Sequence, residues 1–163
     1  MTAEDRAIRR DRMRFIKNSL SANLALLGIL FNVFYFISIC KSDVGTWYYT
    51  ILIGASIVYN LVFMLAVFLS SEGVKNYKQG YSYLLAALGV FQIVRIFIIP
   101  ARAHAAETLI NGETALVMQD GQFYRVTTYL IISAVCLIAS AAVNLIRCRE
   151  LAEHLKALDS QGA

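Results

Sequence analysis

Four apolar runs, each about as long as a bilayer interior is thick, fill most of this 163-residue chain: Leu20–Cys40, Tyr48–Leu69, Tyr81–Pro100 and Thr127–Ile146. A helix rises about 1.5 Å per residue, so roughly 20 residues cross a hydrocarbon core of about 30 Å. In lipid a spanning segment must satisfy its own backbone polar groups, which makes helices the form these runs take. A hydrophobic share of 58 % and a single proline agree with that solvent. The chain is therefore expected to be an all-α integral membrane protein forming one domain over residues 1–163. Its spans fall at about 20–40, 48–69, 81–100 and 127–146. The short connections 41–47 and 71–80 require neighbouring spans to run antiparallel, which predicts an up-down-up-down four-helix bundle.

The net charge of +4 is sorted by loop. Arg6, Arg9, Arg10, Arg12, Arg14 and Lys17 precede the first span, Lys75 and Lys78 separate the second and third, and Arg147, Arg149 and Lys156 follow the fourth. The opposite side holds Lys41, Arg102 and Arg125. By the positive-inside rule both termini are cytoplasmic and the membrane is a plasma or inner membrane. Topology accounts for the basicity without nucleic acid, and the bilayer is the expected partner. Trp47, Tyr48, Tyr49, Tyr124 and Tyr129 mark the outer interface, and Phe15, Tyr77 and Tyr81 the inner one. The first span follows a basic stretch, is too long for an ordinary signal-peptide core and shows no small-residue cleavage site, so it reads as an anchor that stays.

Three segments lie outside the spans. Residues 1–19 carry Thr2 and Asp5 at capping-box spacing, then Ala7, Ile8, Phe15 and Ile16 among six cations, the pattern of a helix lying on an anionic leaflet. At 147–159 the fourth helix extends into the cytoplasm with Leu151, Leu155 and Leu158 on one edge, either a lip packed on the bundle or a docking edge for a partner. The outer loop 101–126 holds Asn111-Gly112 and Asp120-Gly121, two hairpin-turn dipeptides flanking a β-favouring stretch. This pattern predicts a small hairpin or three-stranded meander, with strands at 107–110, 113–119 and 122–126, capping the outer mouth.

The chemistry-bearing residues are few. Cys40, Cys136 and Cys148 share no metal or redox spacing and read as small hydrophobes. One histidine, His104, with Glu107, Glu113 and Asp120 in the outer loop makes a weak metal pattern, so no metal and no cofactor is expected. Each span carries an amide in a similar local string: Asn32, Asn60, Gln92 and Asn144. The first three fall within roughly 3 Å of the span centres and Asn144 about 10 Å toward the cytoplasm. Ser21, Ala25, Gly28 and Asn32 share one face of span one, and Ser133, Cys136, Ser140 and Asn144 one face of span four. Small residues beside amides let helices approach and hydrogen-bond, so these stripes read as interhelical glue or as a polar layer lining a site.

Arg95 is the sharper residue, because a cation within a span is costly and marks function by default. It sits five residues before Pro100, about 7–8 Å below the outer boundary, within snorkelling reach. Gln92, Arg95 and Arg102 share a helical face, which would suit an outward vestibule for an anion or an arginine bonded beneath the cap. No span contains Asp, Glu, His or Lys, which excludes carboxylate-coupled proton exchange, and no phosphate loop or protease constellation is present. The leading expectation is a non-enzymatic accessory or assembly subunit of a larger membrane transport complex. The alternative is a small homo-oligomeric channel or transporter for an anion or polar solute, built on Arg95 and the amide layer. In either case another membrane protein or a second copy is the expected protein partner.

Overall fold

A computed structural model describes residues 17–39, 47–110 and 113–161. The basic amphipathic stretch 1–16, Cys40, the connection 41–46 and Asn111-Gly112 fall outside the described residues, as do the side chains of Trp47, Tyr48, Tyr49 and Leu158. In chain order the elements are α1 (Ser19–Ile39), α2 (Trp47–Lys75), α3 (Gln79–Ile98), a short α4 (Pro100–His104), β1 (Glu107–Ile110), β2 (Glu113–Leu116) and α5 (Asp120–Gln161). Four helical stretches, α1, α2, α3 continued by α4, and α5, are long and apolar enough to cross a membrane. This is the build of a multi-pass, all-α membrane protein.

Local chemistry sets the breaks between elements. At the end of α2 the Lys78 N–H donates to the Gly73 carbonyl at 3.1 Å and the Tyr77 N–H to the Val74 carbonyl at 3.1 Å, which closes the last turn and satisfies two otherwise orphaned carbonyls. Tyr77 takes the left-handed conformation this motif requires, with φ of 56°. The chain then turns directly into α3. That helix stops at Ile98 because Pro100 lies two residues on. A proline has no N–H to donate to the carbonyl four residues back, here Ile96, and its fixed φ suits the first position of the next helix, α4.

The loop between α4 and α5 is simpler than a meander. β1 and β2 pair antiparallel with Glu107 opposite Leu116 and Ile110 opposite Glu113, and the sheet holds these two strands. The stretch expected as a third strand, 122–126, is instead the first turns of α5. Asp120 serves as an acidic residue in the helix's opening turn, where it meets the positive end of the dipole, and the Gln119 carbonyl accepts from the N–H groups of Gln122 and Phe123 at 3.0 and 2.9 Å. Helical packing decides the matter. Val126, Leu130, Ala134, Leu137 and Ala141 recur at three- and four-residue spacing and are all buried. α5 is continuous for 42 residues, about 63 Å at helical rise, and includes the extension beyond residue 146.

The helices meet along the small-residue stripes. Ser21 and Ser140 exchange hydrogen bonds, each hydroxyl donating to the other's carbonyl at 2.7 Å, and the Ser133 hydroxyl donates to the Gly28 carbonyl at 2.8 Å. Residue numbers thus fall along α5 as they rise along α1. A Cβ on Gly28 would lie 2.9 Å from the Leu137 side chain, and one on Gly89 2.8 Å from Ile138, so both glycines set the depth of approach to α5. Two apolar clusters result. One gathers Tyr35, Ile39, Ile96, Met118, Val126 and Leu130, and the other Ala25, Phe63, Val67, Leu85, Leu137 and Ala141. Outward faces stay apolar, with Leu30, Leu61, Leu65, Phe91 and Phe97 exposed, as lipid-facing positions require.

Candidate functional site

A polar node lies between the two apolar clusters, and it is built around Arg95 from α3. Its Nη1 donates to the Asn60 side-chain oxygen at 2.9 Å and to that of Asn32 at 3.3 Å, while Nη2 donates to the Ser56 hydroxyl at 2.6 Å. The amides also bond one another. Asn32 Nδ2 donates to Asn60 Oδ1 at 3.0 Å, Gln92 Nε2 to Asn32 Oδ1 at 2.9 Å and, more loosely, to the Ser133 hydroxyl at 3.4 Å. Asn60 Nδ2 returns to the Ser56 carbonyl at 2.8 Å. All four long helices thus contribute to one network, and Arg95 is 5 % exposed.

Two aromatic rings complete the surroundings of the cation. The guanidinium carbon lies 4.3 Å from the Tyr35 ring centroid and 4.7 Å from that of Tyr59, both within cation–π range. Every group that solvates the charge is therefore neutral: two amide oxygens, a hydroxyl and two ring faces. Two ion pairs, Lys75 with Glu72 and His104 with Asp120, lie elsewhere. Arg95 has five N–H donors, three of them bonded to Asn32, Asn60 and Ser56 and another directed to Tyr35.

A cavity borders one flank of the node. It has a volume of about 230 Å³ and lies between α2 and α3, with Ala55, Phe91, Val94 and Ile98 as exposed apolar walls. Ser56, Tyr59 and Arg95 lie at its base, and nearly all of its lining surface is carbon. The Tyr59 hydroxyl is buried and makes no hydrogen bond among the described residues.

A second polar node lies nearer the start of α1 and further along α5. Asn18 Nδ2 donates to Asn144 Oδ1 at 2.9 Å, and Asn144 Nδ2 donates to the Ser82 hydroxyl at 2.7 Å. Asn18 also takes the start of α1 in hand, since its N–H bonds the Lys75 carbonyl at 3.0 Å and its side-chain oxygen accepts from the Ser21 N–H at 3.4 Å. Beyond it, the Cys148 thiol donates to the Tyr77 carbonyl at 3.1 Å.

The structure thus brings Asn32, Asn60, Gln92 and Arg95 together and places Asn144 in the separate second node. Arg102 is exposed on α4, beyond the break at Pro100. Arg95 does not reach toward the nearer, Pro100 end of its helix. A helical side chain leans toward its own N-terminus, which for α3 is away from that end, and the amides of α1 and α2 meet it there. Ser56, Tyr35, Tyr59, Asn18 and Ser82 were not singled out in the sequence. Ser56 and Asn60 stand at i, i+4 on one face of α2, the spacing that could have paired them. His104 Nε2 and Asp120 Oδ1 lie 2.8 Å apart and the His104 ring packs 4.5 Å from that of Phe123, an attachment of α4 to the start of α5. Among the described residues no three His, Cys, Asp or Glu side chains gather as a metal site would need.

Comparison with family models, curated proteins and solved structures returns no match.

Proposed function

We propose that this chain is a non-enzymatic membrane protein that takes an anionic group into the bilayer at Arg95, for binding or for transport. The observation that carries the reading is a charged guanidinium solvated only by neutral groups and bordered on one side by a cavity. Burying a charge costs several kcal/mol even after relaxation, whereas uncharged amides join helices without that penalty. In the second node, uncharged groups alone bridge the same helices. In low dielectric an anion approaching Arg95 is attracted far more strongly than at a water-exposed cation.

The topology supporting this reading is an up-down-up-down bundle with both termini cytoplasmic in a plasma or inner membrane, from the loop charges and from the descending pairing between α1 and α5. The cavity then lies in the outer half of the bilayer. The test is anion-dependent stabilisation of the purified chain, read as a thermal shift, together with anion flux into proteoliposomes. Wild type should respond to the anion in at least one of these, and Arg95→Met should respond in neither. Equal responses from the folded Arg95→Met variant would sink the proposal.

A second reading, an accessory or assembly subunit of a transport complex, draws on the hairpin. Leu116 stands opposite Glu107 and Leu109 lies two residues along from it, so both leucines occupy one hairpin face, 44 % and 73 % exposed. A two-stranded hairpin is marginal alone, and an apolar face on it calls for a cover. Crosslinking from position 109 followed by mass-resolved purification should capture one stoichiometric membrane protein under this reading. Lipid adducts alone would remove it.

A further inference from the structure

We infer that the ligand of the Arg95 site is an amphiphile dissolved in the membrane, a single acyl chain with an anionic head, and that it enters sideways between α2 and α3. This rests on the proposal that Arg95 receives an anion and deepens it by naming the ligand's class and route.

Three features of the cavity point this way. Its walls and floor differ in character. Ala55, Phe91, Val94 and Ile98 face outward with the lipid-exposed surface, whereas Ser56 and Arg95 are buried at the base. A water-borne ion would have to cross that apolar wall stripped of its hydration, but an acyl chain already in the bilayer meets the wall as ordinary solvent. Phe91 and Ile99 mark the ends of the cavity, a rise of about 12 Å along the α3–α4 direction, so the opening lies along the membrane-spanning direction and matches a chain laid against helices.

The floor suits a head with oxygen acceptors. Arg95 lines the cavity and has five N–H donors, three of them bonded to Asn32, Asn60 and Ser56 and another directed to Tyr35. A guanidinium matches the two oxygens of a carboxylate or two of a phosphate. Size then limits the rest. About 230 Å³ is below the lower end of pockets for drug-sized ligands, roughly 300 Å³, which favours one chain over a diacyl lipid.

The experiment uses the full chain in vesicles with three photoreactive probes of matched chain: a diazirine fatty acid, the corresponding uncharged fatty alcohol and a diazirine phosphatidylglycerol. Mapping of adducts by mass spectrometry should place the fatty acid on residues 55–59 and 91–99. The alcohol should label there at least tenfold less, and Arg95→Met should lower fatty-acid labelling by a similar factor. Ala55→Trp, which fills the cavity from its wall without touching the node, should block labelling while the thermal midpoint stays near that of wild type. Equal labelling by the alcohol would overturn the anionic head, and labelling by the phospholipid alone would overturn the single chain. A soluble anion such as inorganic phosphate, applied without lipid, separates the two levels. If phosphate stabilises wild type but not Arg95→Met and no probe reaches the cavity, the anion reading stands and the amphiphile falls; if neither phosphate nor any probe acts through Arg95, both fall.

Discussion

The two polar nodes are made of the same materials and differ by one charge. Around Asn144, amides and hydroxyls match donor to acceptor: Asn18 gives to Asn144, Asn144 gives to Ser82, and Ser21 and Ser140 exchange bonds. No formal charge lies in that set, and its geometry closes on itself. Around Arg95, similar amides from α1, α2 and α3 converge on a cation, and a cavity borders the network. The contrast separates two uses of polarity inside a membrane protein. Neutral reciprocal bonds hold helices in register; a charge solvated by neutral dipoles creates a place where an anion is favoured.

That contrast can be broken by substitution. The largest effect is expected at Asn60, whose oxygen accepts from Arg95 and from Asn32 at once. Asn60→Leu leaves a buried cation short of an acceptor, and hydrogen bonds to charged groups are worth about 1.5–3 kcal/mol, so stability should fall by about 2–3 kcal/mol in a reversible unfolding titration. Arg95→Met should cost less than Asn60→Leu, because removing the cation also removes its desolvation penalty and leaves the amide-to-amide bonds in place. A greater loss from Arg95→Met than from Asn60→Leu would make Arg95 a structural anchor and erase the distinction between the nodes.

Gly28→Ile comes next. Its Cβ alone would approach Leu137 to 2.9 Å, and overpacking of this kind costs about 1–3 kcal/mol as α1 is pushed from α5. Because Gly28 lies between the nodes, thermal stability and anion response should fall together. Asn144→Leu should cost about 1–2 kcal/mol, near the upper end of measured interhelical polar contributions, and leave the anion response of Arg95 intact. A lost response there would mean the nodes act as one unit. The smallest effect is expected from Tyr59→Phe, since its hydroxyl bonds nothing among the described residues. Stability should change by less than about 0.5 kcal/mol in the same unfolding titration.

Much of the architecture was legible without coordinates because lipid imposes one solution on long apolar runs. The faces of α1 and α5 were legible too, since small and polar residues at three- and four-residue spacing can only be useful where helices touch. Ser21, Gly28, Asn32, Ser133, Ser140 and Asn144 are all buried. The loop between α4 and α5 was read less well. Asp-Gly favours a tight hairpin turn, but Asp is equally at home in the first turn of a helix, and only the burial of Val126 and Leu130 on the α5 face separates the two. Asn18 was passed over because it precedes the first apolar run, although it starts α1 and reaches Asn144, 126 positions away in the chain.

By itself, then, the sequence determined the solvent, the number of crossings, the contact stripes and the presence of one cation at depth, because each stems from local composition and the helical repeat. Only the tertiary structure decided which amides surround that cation, that Arg95 turns across the helices instead of toward the Pro100 end of α3, and that a cavity opens between α2 and α3 beside it. Those facts depend on the rotation and depth of four helices relative to one another. Lipid-facing and partner-facing apolar residues look alike in a sequence, so these rotations are fixed only when the helices pack.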